Sequence, residues 1–237
     1  VEGIATISAG TSNNVTLDQA SNDFTDDVRV TGMNVELVDT NALVLGTSDI
    51  NGTYAVTAGG HITDDGALDV EGIATISAGT SNNVTLDNAS NDFTDDVRVT
   101  GMNVELVDAN AIILGTSDVN GTYAVTATAG GDITDDGALD IDGNSTFTAA
   151  SGRNITLDYS THTFDGTVTF AAASGNLANV TVTDSNAHIL QALNITGDLS
   201  VTAGGHITDD GVLDVEGITT ISAGTSNNVT LDNASND

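Results

Sequence analysis

The sequence predicts an all-β chain, folded as a right-handed parallel β-helix (β-solenoid) with about three strands per coil, ~23 residues per coil and about ten coils. Three observations predict it. First, the chain repeats itself: VEGIATISAGTSNNVTLD at residues 1–18 returns unchanged at 70–87 and with one substitution at 215–232. Second, apolar residues alternate with polar or small ones over very short stretches, the period of a strand. Third, Gly, Asn, Asp and Ser fill the intervals between those stretches, as turns require.

Equivalent blocks begin at Val1, Val70, Ile141 and Val215, so successive starts lie roughly 70 residues apart. The expected organisation is one continuous solenoid over 1–237, with super-repeats 1–69, 70–140 and 141–214 and a partial one at 215–237. Residues 1–58 and 70–127 differ at five positions, and the segment 215–237 repeats the segment 1–23 except at two. The chain thus starts and stops in mid-phrase, and the expectation is a window of a longer array. The third block is worn, with an insertion of five residues near Ala171–Gly175.

Within the second block the elements follow in order. A first coil, about Ala67–Ala89, turns Leu68, Val70, Val84 and Leu86 inward. A second, about Ser90–Asn110, turns Phe93, Val97, Val99, Val104 and Leu106 inward. A third, about Ala111–Gly137, turns Ile112, Leu114, Val119, Tyr123, Val125 and Ile133 inward. Ile73 and Ile76 are three apart, so alternation leaves open which of them faces the core. Nothing recurs with helical spacing. A sandwich needs edge and centre strands that differ, and near-identical blocks do not supply them. One coil cannot bury its own apolar face, so stability has to come from neighbours.

Composition excludes several classes. There is no Cys, Pro or Trp, and Arg29, Arg98 and Arg153 are the only basic side chains besides histidine, so the net charge is −31. Without cysteine there is neither a disulfide scaffold nor a thiolate metal site. Nucleic acid needs a basic footprint, and anionic lipid needs one too. No apolar run approaches the ~18 residues of a membrane span. Disorder is excluded by strict patterning of the 39% of residues that are hydrophobic.

The stretch NDFTDDVRVTGMNVELVDANAIILGTS, followed by GTYAVTATAGGDITDDGALDIDG, resembles the repeat region of large bacterial exoproteins. These are the filamentous haemagglutinin-like and related β-strand-repeat adhesins. The resemblance implies a right-handed parallel β-helix projecting from the cell as a stalk or fibre. It implies an extracellular, cell-surface or secreted location, and no defined catalytic residue.

The candidate chemistry lies in acids. Pairs recur at Asp26-Asp27, Asp64-Asp65, Asp95-Asp96, Asp135-Asp136 and Asp209-Asp210, and their turn contexts read as solvated caps. Asp132, Asp135, Asp136, Asp140 and Asp142 pack five carboxylates into eleven residues. They are the calcium candidates, since Ca²⁺ takes six to eight oxygens. Like acids are expected on every third coil, about 14 Å apart, beyond the ~8 Å Debye length. His61 and His206 share a slot that holds Asp132 in the middle copy, which reads as an exposed turn. His188 falls where Ile112 falls, and reads as a corner or core histidine. Thr-x-Thr pieces such as Thr126–Thr128 are not expected to align from coil to coil. Sequons such as Asn83–Thr85, Asn154–Thr156 and Asn194–Thr196 arise where a turn Asn meets a strand Thr.

The function expected is a structural rod or filament segment without catalysis. Its partners are further copies of its own repeat, end to end or side by side. A second class is an adhesin module that binds a glycan or host surface through the third block, with Tyr159, Phe164 and Phe170. A third is a β-helix enzyme that cleaves polysaccharide through one acid pair.

Overall fold

The computed structural model describes residues 1–237, and all of its regular elements are β-strands. The 31 strands are two to five residues long. All pair in parallel, in sheets of 15 and 14 strands and one of two, Leu193–Ile195 with Leu213–Val215. Parallel pairing of short, sequential strands is the signature of a winding tube.

One ladder runs Val15, Val35, Tyr54, Ala74, Val97, each the in-register neighbour of the one before. The tube therefore has about 11 turns of roughly 20 residues, tighter than the ~23 and more numerous than the about ten expected from sequence. The discrepancy has a physical cause: one block is not three coils. Three steps up from Val15 lies Ala74, and Val84, the true equivalent of Val15, comes about half a coil later in the other large sheet. Each block thus advances about three and a half coils.

The alternation is visible in one strand followed through the blocks. Ala5–Ser8 belongs to the 15-stranded sheet, Ala74–Ser77 to the 14-stranded, Ser145–Ala149 to the 15-stranded and Thr219–Ala223 to the 14-stranded. Equivalent residues of consecutive blocks occupy different sheets, and every second block returns to the first.

Inside the tube, 53 buried apolar residues form one cluster. Every residue expected inward in the second block is buried, and Ile76 rather than Ile73 is the one that enters the core. Tyr123, Phe147, Phe164 and Phe170 form an aromatic run, with Phe147 5.9 Å from Tyr123 and 6.0 Å from Phe170, centroid to centroid.

Corners are closed by glycine because coils stack there backbone on backbone. A Cβ at Gly66, Gly137 or Gly211 would collide with the amide nitrogen of the corner beneath. The five-residue strand Val28–Gly32 lies under two short strands, Leu43–Leu45 and Ser48–Ile50, with register Val28↔Leu45 but Thr31↔Asp49. Val97–Gly101 forks in the same way beneath Ile112–Leu114 and Ser117–Val119. One face becomes two at each fork.

Candidate functional site

The five calcium candidates separate in space. Asp132 accepts from the Asn154 amide at 2.8 Å and from Asn154 Nδ2 at 3.2 Å. Asp135 accepts from the amides of Asp158 at 3.0 Å and Tyr159 at 3.1 Å. Asp140 takes the hydroxyl of Thr163. Burial raises the Asp136 carboxyl, with Asp96 adding to the shift, and Asp142 is exposed. Nowhere do three carboxylate or imidazole groups converge as a cation would need. Asp132, Asp135 and Asp140 instead accept from donors of the next coil.

That use of acids is systematic. Asp64 Oδ2 accepts from Asn91 Nδ2 at 2.7 Å, while Asn91 Oδ1 accepts from the Leu68 amide at 2.9 Å. Asp209, Asn236 and Leu213 repeat the clamp at 2.8 and 3.0 Å. In the third block an imidazole replaces the amide. His162 Nδ1 accepts from the Leu139 amide at 2.9 Å, and Nε2 lies 2.8 Å from Asp135 Oδ2, off the ideal hydrogen-bond line. An acceptor at Nδ1 places the proton on Nε2, toward the carboxylate. Reading along the sequence misses His162; its alignment with Asn91 is the signal that finds it.

A second set of acids caps strand starts. Asp39 and Asp108 accept from the amides of Phe24 and Phe93 at 2.7 and 2.8 Å, and from those of Asn41 and Asn110 at 2.7 and 2.6 Å. Burial pushes the Asp108 carboxyl up to about 6, against those two hydrogen bonds. At the matching position in the third block, Asp184 Oδ2 lies 3.1 Å from His188 Nδ1. His188 is a core histidine, 1% exposed.

The acid pairs are not uniformly solvated turns. Asp27 and Asp96 are buried, each 2.6 Å from the Nε of Arg29 or Arg98. Nor do acids recur only at every third coil. Asp49, Asp69 and Asp92 stack in register on three successive coils, as do Asp118 and Asp140 on two. Coil spacing is ~4.8 Å, well inside the Debye length. Burial and then Asp92, Asp49 and Glu71 raise the Asp69 carboxyl. The third block relieves its column: Thr163 stands above Asp140, and Asn194 donates to Asp214 at 3.0 Å.

His61 and His206 are exposed, and each Nδ1 accepts from the amide of the Asn above, at 2.9 Å. Asp132 offers the same acceptor to Asn154, which explains how Asp and His share one slot. Thr-rich columns align after all: Thr134, Thr156, Thr181, Ser200 and Thr220 are in register on five coils. Phe164 and Phe170 are buried and Tyr159 alone of the three aromatics is exposed, so the third block builds no aromatic platform.

A parallel β-solenoid whose polar side chains tie each coil to the next defines a class: a tandem-repeat β-solenoid protein. The chain belongs to the family described as repeats of unknown function (DUF5649), whose model matches residues 1–31, 32–100, 101–171 and 177–237. No curated protein matches the chain, and no solved structure matches it.

Proposed function

We propose that this chain is a non-catalytic structural segment of an extracellular bacterial rod, similar in build to the repeat stalks of filamentous haemagglutinin-like adhesins, with further copies of its own repeat as neighbours. The observation that carries this reading is the use made of the acids. Asp64, Asp135 and Asp209, which head the pairs with most catalytic appearance, each bind the coil above through an Asn or His and two backbone amides. Side chains engaged in holding coils together serve length. Near-identical blocks then add length without a new fold for each, as in other linear repeat proteins. An acidic surface keeps such rods soluble and apart.

Arrays of two, three and four blocks test the reading. Small-angle scattering is expected to show a rod whose length grows by about 17 Å per block at constant cross-section. Immunogold labelling of intact cells is expected to decorate surface projections. A cross-section that swells with block number, or label confined to the cytoplasm, contradicts the proposal.

A further inference from the structure

The surface has four hollows, and two of them are one station of the repeat. The first is lined by Asn14, Thr16, Asn34, Glu36, Thr53 and Ala55 and measures about 200 Å³. The second is its equivalent in the next block, with Asn83, Thr85, Asn103, Glu105, Thr122 and Ala124, and measures about 210 Å³. A further hollow, with Asn179, Thr181, Asp198, Ser200, Ile218 and Thr220, opens to about 450 Å³, but it lies one coil further on and has no glutamate. The hollow has a local cause. Thr16, Glu36 and Ala55 are in register on successive coils, so a methyl group sits beside a long side chain and leaves a dip. A column of Asn14, Asn34 and Thr53, hydrogen-bonded to one another, forms the wall.

The polar groups in this dip are not used up. Asn14 and Asn83 serve as acceptors through Oδ1, which leaves Nδ2 free to donate. Glu36 and Glu105 are exposed and form no ion pair. Beside them Thr16 and Thr85 present hydroxyls. An amide donor, a carboxylate acceptor and a hydroxyl in one hexose-sized dip match the adjacent hydroxyls of a sugar ring. Under the second hollow the strands are paired on both sides, so no backbone edge is open to a peptide there; under the first, Val15–Leu17 is the end strand of its sheet. The carboxylate and the net charge of −31 turn away acidic sugars.

We propose that these two equivalent hollows are weak, repeated binding sites for uncharged polysaccharide. Because consecutive blocks alternate between sheets, the first hollow lies on the 14-stranded sheet and the second on the 15-stranded. The rod would hold polymer on two sides and so join strands of a matrix. Affinity comes from multivalency rather than from any one hollow. The site is distinct from the third-block aromatics, and the rod reading stands or falls without it.

Affinity electrophoresis of the full chain through dextran, galactomannan and polygalacturonate tests this. At least one neutral polymer is expected to reduce mobility twofold or more, and polygalacturonate to have no effect. The variant Ala55→Leu/Ala124→Leu, which fills the dips, should migrate freely with an unchanged Tm. Glu36→Gln/Glu105→Gln, which alters no packing, should weaken retardation about fivefold. No retardation by either neutral polymer overturns the proposal. So does retardation that survives filling, or equal retardation by polygalacturonate.

Discussion

Asp64 and Asp209 make the same hydrogen bonds one coil upward, yet burial raises the Asp64 carboxyl while the Asn236 bond lowers that of Asp209. Desolvation decides between them. Asp64, Asp69, Asp108 and Asp136 are all raised. A raised acid contributes stability that is fully present below its unfolded value, ~3.9, and lost as pH rises through the folded value, about 6 for Asp108. Asp209 acts oppositely, losing its contribution as pH falls through its folded value. Four raised acids against one lowered make the direction clear, and neutralising part of the charge of −31 adds to it. The melting temperature is expected to be higher at pH 5 than at pH 8, and a maximum at pH 8 would refute this. Third-block substitutions come in compensating sets. A Cβ at Gly115 would run into Asp96 Oδ2 and lie 2.7 Å from Arg98 Cγ; where Thr167 and Thr169 replace that ion pair, Gln191 replaces the glycine. Tyr123, whose buried hydroxyl faces Ser117, is matched by Leu199 beside Leu193. A Cβ at Gly46 would lie 2.5 Å from Asp27 Oδ2, so Gly46→Ala should cost about 1–3 kcal/mol in urea unfolding. The same change alongside Asp27→Thr/Arg29→Thr should cost much less.

Strands are the most legible elements, because two or three alternating residues suffice to mark one, and Leu68, Val84, Val97 and Tyr123 all face inward as alternation predicts. Corners are not legible. Whether Asp135 caps a backbone or waits for a cation depends on what the coil above brings to it, at Asp158 and Tyr159. Alternation says nothing about contacts at that separation. The clamp also shows why His162 escapes notice: a lone imidazole carries no pattern, and its role emerges only when Asn91 and Asn236 are seen at the same station. Asp135→Ala leaves two amides without their acceptor, each such loss being worth ~1–3 kcal/mol, and removes the carboxylate that faces the buried His162 Nε2. Urea denaturation should show a loss of about 3 kcal/mol or more, whereas Glu105→Ala on the surface should stay within about 0.5 kcal/mol. His162→Asn should be nearly neutral, since asparagine fills this place elsewhere. A large loss from His162→Asn would mean the ring packs in a way the amide cannot replace.

The tube as a whole is legible in class but not in pitch. A repeat of about 70 residues suggests a whole number of coils, and three coils of ~23 residues divide it almost without remainder. The structure divides it by about three and a half, because glycine corners such as Gly66 and Gly137 let the chain turn in roughly 20 residues. The half-coil remainder decides how the rod meets its surroundings. Anything displayed once per block faces alternate sides, and returns to one side after about seven coils, ~34 Å. Family boundaries at 32–100 and 101–171 follow the sequence period, not the coil. Because the chain has no cysteine, paired spin labels can read the remainder through double electron–electron resonance. Thr16→Cys/Thr85→Cys should give a backbone separation of about 20 Å, a rise of ~17 Å combined with a crossing of ~10 Å between sheets. Thr16→Cys/Thr156→Cys should give about 34 Å. Separations of about 14 Å and about 28 Å would instead mean three whole coils per block on a single side, and would contradict the alternating rod.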